Sequence, residues 1–254
     1  MVRREHRRPV TPMSFSPPVT PPSDVHSVLR ERGYAVLSRA GLCELVGTPA
    51  PALDALLPTW NDLPLDGYLR DGGRYRSRRH SCFVVDGASV SQVPHRAHWQ
   101  PVEYNALHGG LERWFEPISP AVVSQPVWPR LLRELGACSS ALKGAGPWSV
   151  EAHQFRIDTT DGIGRPTPEG AHRDGVDFVA VLLTGREGIK GGETRVFEAA
   201  GPNGIRFTLT EPWSALLLDD ARVIHESTPI QPLDGKGHRD TLVLTFRAKG
   251  FQGP

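Results

Sequence analysis

Apolar and polar positions follow two different periods along this chain. In the first half the apolar positions recur at helical spacing. Val25, Val28 and Leu29 follow a Ser23-Asp24 start signal and stop at Gly33, which predicts a short helix with a glycine terminator. Residues 34–37 then read as a short strand, and residues 52–57 as a second helix. A third helix, over 128–142, places Trp128, Leu131, Leu132, Leu135, Cys138 and Leu142 on one face and ends at Gly144. These helices read as packing elements, with Cys138 as part of an apolar stripe.

In the second half the period falls to two. Residues 150–158, 176–183, 194–197, 205–210, 214–218, 222–226 and 241–247 are rich in β-branched and aromatic residues, with Gly, Pro, Asp and Asn between them. Seven or eight short strands predict a mainly β fold with flanking helices, an α+β chain whose core is a jelly-roll type double sheet. There is no internal repeat. Six prolines within residues 1–24 predict a flexible N-terminal arm. Residues 25–254 then form a single domain, helical and loop-rich to about 148, with the double-sheet core over 149–250.

Composition narrows the function classes. Lys and Arg number 29 against 28 Asp and Glu, which removes the electrostatic case for nucleic acid or an anionic membrane as partner. No apolar run reaches the length of a membrane span, and the N-terminal arginines are not followed by the apolar core of a secretory signal. Cys43, Cys82 and Cys138 are widely spaced and form no CxxC, so free thiols in the cytoplasm are the expectation.

The chemistry concentrates in three places. His172-Arg173-Asp174 precedes an apolar strand, and residues two apart in an extended chain share a face. His225 lies in a later strand. Two imidazoles and one carboxylate make a facial triad that leaves coordination positions open, as non-haem Fe(II) requires when it must also bind a co-substrate and O2. Arg239 opens the last strand with Thr241 on its face. A guanidinium clamps a carboxylate bidentately and a nearby hydroxyl adds a hydrogen bond, which fits the distal carboxylate of 2-oxoglutarate. Taken singly, H-x-D recurs by chance and Arg239 reads more readily as a surface arginine at a strand start.

In combination these segments resemble a known family. His172-x-Asp174, Gly191-Gly192-Glu193-Thr194, His225 and Arg239-x-Thr241 stand in the order found in the Fe(II)/2-oxoglutarate-dependent dioxygenases. The segments 104–118, 153–157, 172–178 and 239–246 resemble most the bacterial L-isoleucine dioxygenase group of free amino-acid hydroxylases, over roughly residues 25–250. The resemblance implies a double-stranded β-helix, a cupin-like jelly roll. It assigns His172, Asp174 and His225 to Fe(II) and Arg239 to 2-oxoglutarate. It implies hydroxylation of a free amino acid, or a similar small molecule, with formation of succinate and CO2.

Two alternatives stay open. The same iron centre can desaturate or cyclise an amino-acid-derived or carrier-bound substrate. A non-catalytic cupin-like protein that binds a metal or small molecule is the other. Substrate contacts are expected at Gln154 and Arg156, if their face of the first barrel strand lines the cavity, and at Tyr104 and Trp114. Arg70, Arg74, Arg76, Arg78 and Arg79 read as a basic loop from which one arginine reaches the site. His95, His98 and His108 sit in loop-like sequence without ligand spacing, and His238 points away from Arg239.

Overall fold

A computed structural model describes residues 15–254; residues 1–14 of the expected arm lie outside the described residues. The helices are α1 (Val25–Arg32), α2 (Arg39–Val46), α3 (Ala50–Asp54), α4 (Pro120–Val123) and α5 (Val127–Lys143), with 3-10 turns at Pro22–Asp24 and Leu57–Asp62. The strands are β1 (Tyr34–Leu37), β2 (Arg76–Asp86), β3 (Ser89–Gln92), β4 (Trp148–Asp158), β5 (Phe178–Glu187), β6 (Ile189–Gly191), β7 (Thr194–Glu198), β8 (Gly204–Phe207), β9 (Ala215–Asp219), β10 (Val223–Ser227), β11 (Ile230–Pro232) and β12 (His238–Arg247).

Gly33 ends α1 as expected, taking a φ of +80° while its N–H bonds the Leu29 carbonyl at 2.9 Å. The expected helix at 52–57 instead ends at Asp54, and the chain tightens into the 3-10 turn that carries Pro58. Within residues 15–24 of the expected arm, Val19 bridges Val36 of β1: the Thr20 N–H donates to the Val36 carbonyl at 2.7 Å, and Thr20 is buried.

Three layers result. A seven-stranded antiparallel sheet runs β1-β9-β5-β12-β4-β2-β3. A three-stranded sheet, β10-β7-β8, and a two-stranded one, β11-β6, complete the β part. Side chains alternate across the large sheet. One face carries Phe83, Val85, Val150, Ala152, Leu242, Leu244 and Phe246 into a core with Leu131, Leu132 and Leu135 of α5. The opposite face carries Val179, Leu183, Leu216 and Leu218 into a second core with Val196, Phe207 and Val223 of the three-stranded sheet.

That alternation settles which face is chemical. On β12 the residues Arg239, Thr241, Val243 and Thr245 point between the sheets; on β4 it is Glu151, His153, Phe155 and Ile157. Gln154 and Arg156 take the other face, a correction to the expected substrate contacts. Gln154 donates to Thr59 Oγ1 at 3.0 Å, and Arg156 pairs with Asp240 at 2.7 Å.

The expected basic loop is corrected too. Residues 76–79 belong to β2, paired with β4 from Arg76↔Ile157 to Val85↔Trp148. Arg76 and Arg78 are buried, while Arg79 turns outward to Glu116 at 2.7 Å. Arg70 and Arg74 remain exposed before the strand.

Candidate metal centre

The H-x-D segment is tied directly to β10. The His172 N–H donates to the His225 carbonyl at 3.0 Å, and the His225 N–H returns to His172 at 2.9 Å. This antiparallel bridge brings the two imidazole centroids to 4.7 Å. Asp174 points to the same spot, with its carboxylate 3.9 Å from His172 Nε2 and 3.8 Å from His225 Nε2. One ligand atom from each residue lies within 4.8 Å of the others, a separation that a single metal ion can bridge.

The surroundings fix the ligand atoms. His172 Nδ1 donates to the Gly170 carbonyl at 2.9 Å, which leaves Nε2 as a bare lone pair toward the centre. Asp220 accepts the backbone N–H groups of Asp174, Gly175 and Val176 at 2.9, 2.8 and 3.1 Å, and so holds the loop that carries the carboxylate. Gly175, at φ +75°, makes the turn out of this loop, and the Tyr104 ring occupies the space a side chain there would need.

The pocket disfavours an unpaired carboxylate charge. Burial raises the Asp174 pKa to about 7, with Asp220 and Glu169 adding repulsion that His172 only partly offsets. Burial, with His172 alongside, holds the His225 imidazole well below its ordinary pKa and therefore neutral. A buried carboxylate flanked by bare imidazole nitrogens is the donor set for a divalent metal.

The triad opens into a cavity of about 130 Å3 between the sheets. Arg239 and Thr241 line it. The Arg239 side chain is 4% exposed, and no carboxylate reaches salt-bridge distance among the described residues. Burial, with Arg186 nearby, lowers its pKa to about 10. An acid-free buried guanidinium is costly unless an anion completes it. A 2-oxoglutarate carboxylate therefore fits this wall.

Of the other expected contacts, Trp114 is 52% exposed with its ring against His95, outside the cavity. Tyr104 lies beside the cavity rather than in it, on a shallow surface pocket shared with His172 and Arg173. The chain turns Arg113 inward in place of Trp114. His98, read from the sequence as a loop histidine without ligand spacing, is also on the cavity wall.

His98 belongs to a second cluster with His80, Glu151 and His153. Here Glu151 Oε2 accepts from His80 Nε2 at 3.0 Å and from His98 Nδ1 at 2.6 Å. Arg78 Nη2 donates to His153 Nδ1 at 2.7 Å, so the neutral ring turns its remaining N–H toward Glu151, 3.8 Å away. Burial keeps all three imidazoles below their usual pKa, His98 at about 3. Burial opposes the charge on Glu151, but His98 and His80 outweigh it and hold the carboxyl well below the usual range. In the tautomers these hydrogen bonds set, the nitrogens facing Glu151 carry protons and the imidazole lone pairs of His80 and His98 lie on the far side of each ring.

Residues 57–245 match the family model described as 2OG-Fe dioxygenase. The chain is similar to a bsmA homolog from Methylobium petroleophilum PM1, with 56% identity over 93% of this chain and 96% of that one and a TM-score of 0.89. It shares its fold with IDO from Bacillus thuringiensis, at 18% identity, 93% and 99% coverage and a TM-score of 0.72. It also shares it with TqaL, an Fe(II)/(alpha)ketoglutarate-dependent dioxygenase, at 19% identity, 89% and 86% coverage and a TM-score of 0.69. No curated protein is significantly similar to the chain.

Proposed function

The chain belongs to the 2OG-Fe dioxygenase family, which uses Fe(II), 2-oxoglutarate and O2, and on that premise we propose that it hydroxylates a C–H bond of a free amino acid or a similar small molecule. His172, Asp174 and His225 hold the iron in this reading, and Arg239 with Thr241 holds the distal carboxylate of 2-oxoglutarate. The observation that carries it is the meeting of three ligand atoms within 4.8 Å beside a buried guanidinium that lacks an acid. The antiparallel sheets that enclose the cavity are read as a double-stranded β-helix. Three free cysteines are in keeping with a reducing cytoplasm.

Held by His172, Asp174 and His225, Fe(II) would supply the activation of O2 coupled to oxidation of 2-oxoglutarate to succinate and CO2, with one oxygen atom going to succinate and the other to the substrate C–H bond. The chain's own residues bind and orient. Asp174 supplies the anionic ligand, His172 is held by Gly170 in the tautomer that presents Nε2, and Asp220 fixes the loop. Arg239 would hold the distal carboxylate of the co-substrate and so orient it. The apolar walls Val181 and Val243 limit water at the reacting carbon. The amino-acid class rests on the likeness of segments 104–118 and 153–157 to the bacterial L-isoleucine dioxygenase group.

The test is to load the protein with Fe(II) anaerobically, add 2-oxoglutarate, O2 and a panel of free L-amino acids, and follow succinate and product mass. Succinate formed in step with a product heavier by one oxygen is expected. Loss of two hydrogens in the product would move the reading to desaturation or cyclisation. No 2-oxoglutarate turnover under any condition would favour a non-catalytic metal-binding protein.

A further inference from the structure

Arg239 is not the only guanidinium on the cavity wall without an acid. Arg113 is 2% exposed, lines the same cavity, and has no carboxylate within salt-bridge distance among the described residues. Its one side-chain hydrogen bond is from Nη2 to Gln100 Oε1 at 3.0 Å, and its buried Nε has no partner. Burial, with Arg76 nearby, lowers its pKa to about 10, so the site disfavours the charge that it nevertheless keeps. The three neighbouring carboxylates face other groups, Glu169 Oε1 standing 3.5 Å from His172 Nε2. Asp66 holds Arg76 at 2.7 Å and approaches Arg78 at 3.8 Å, and Glu151 Oε2 takes its two imidazole N–H groups.

Gln100 ties Arg113 to the metal centre. The same amide that accepts from Arg113 donates from Nε2 to Asp174 Oδ1 at 3.4 Å. One glutamine side chain therefore bridges the distance between guanidinium and triad. Arg78 adds a second guanidinium to this wall, fixed between the Phe115 and Phe155 rings at 3.8 and 4.4 Å. Its Nε is also buried without a partner.

We propose that Arg113, backed by Arg78, is the anchor for a carboxylate of the primary substrate, distinct from the co-substrate anchor at Arg239. The inference rests on the dioxygenase reading above and deepens it: the substrate is a small acid whose reacting carbon lies a few bonds from its carboxylate. Two buried acid-free guanidiniums on one cavity wall call for two anions; the distal carboxylate of 2-oxoglutarate takes Arg239, and its other carboxylate, beside the keto group, is the one a metal at the triad would claim.

The experiment runs the iron-loaded enzyme with 2-oxoglutarate against paired compounds: free L-amino acids, their carboxamides, and the N-acetylated acids. Arg113→Gln and Arg113→Lys are measured beside the wild type. In the wild type, replacing carboxylate by carboxamide is expected to lower substrate-stimulated succinate formation about tenfold or more. Arg113→Gln should raise the substrate KM about tenfold or more while the 2-oxoglutarate KM stays within about twofold, and Arg113→Lys should recover part of the loss. Carboxamides as active as acids, an unchanged substrate KM in Arg113→Gln, or turnover without stimulation by any carboxylate would each overturn the proposal. Activity confined to the N-acetylated acids, still lost in Arg113→Gln, would remove the free amino acid and keep the anchor. The carboxamide comparison needs no variant, so a folding defect in Arg113→Gln leaves the proposal open to refutation.

Discussion

Two clusters of histidine and carboxylate lie on one cavity, and they differ in where their hydrogen bonds leave the ligand atoms. At His172, Asp174 and His225 the carboxylate is buried with backbone amides committed to Asp220 instead, and the Nε2 atoms aim inward. At His80, His98, Glu151 and His153 the carboxylate is saturated by imidazole N–H groups, and Arg78 stands behind them. Residue types are the same; the placement of protons is opposite. A metal site is thus defined by lone pairs left without donors, and not by the presence of histidine and acid.

The sharpest way to break this contrast is Asp174→Ala, which should reduce substrate oxidation and 2-oxoglutarate turnover to background, read as succinate formed. Next in size is Arg239→Gln. Removing the partner of a buried charge costs about 2–5 kcal/mol, so the 2-oxoglutarate KM should rise by about thirtyfold or more. Asp220→Asn should weaken Fe(II) or Co(II) binding about 10- to 100-fold without changing the ligands, by loosening the loop that Asp220 holds.

A pH titration of the metal-free protein sharpens the contrast further. Burial disfavours charge on His172, but Asp174 and Glu169 outweigh it and raise its pKa, so its contribution to stability is present below about pH 6.5 and lost as pH rises through the folded value. Burial depresses His98 to about 3, so acidification below about 6.5 costs stability at this end, up to about 1.4 kcal/mol per pH unit. Imidazole NMR at pH 5.5 should find His98 still neutral; a charged His98 there would erase the distinction. The smallest effect is expected for Trp114→Ala, whose exposed ring lies outside the cavity, with substrate KM within about twofold of wild type.

Much of the centre was legible from spacing. H-x-D before an apolar strand, a later strand histidine and Arg239-x-Thr241 fall where period-two reasoning puts them, because each sits on a regular strand or next to one. The second cluster was hidden for a physical reason. The strand β2 alternates Arg76, Arg78, His80 and Cys82 on its inner face, so a strand that lines a polar cavity reads as a basic loop. Without β2, His80 and His98 had no route to Glu151. On β4 the alternation itself was readable, but which face met the helices was not. Gln154 and Arg156 could be separated from His153 and Phe155, yet only the packing of α5 and the Leu57–Asp62 turn shows which pair turns outward. Asp220 carried no signal beyond an acidic pair after an apolar strand; its role appears only when three backbone N–H groups converge on it.

The most direct measurement is metal stoichiometry by anaerobic titration and elemental analysis of wild type, Asp174→Ala and Glu151→Gln. One Fe(II) or Co(II) per chain is expected in the wild type and in Glu151→Gln, and none retained in Asp174→Ala. Retention in Asp174→Ala together with loss in Glu151→Gln, or two equivalents in the wild type, would contradict the assignment of the centre to His172, Asp174 and His225.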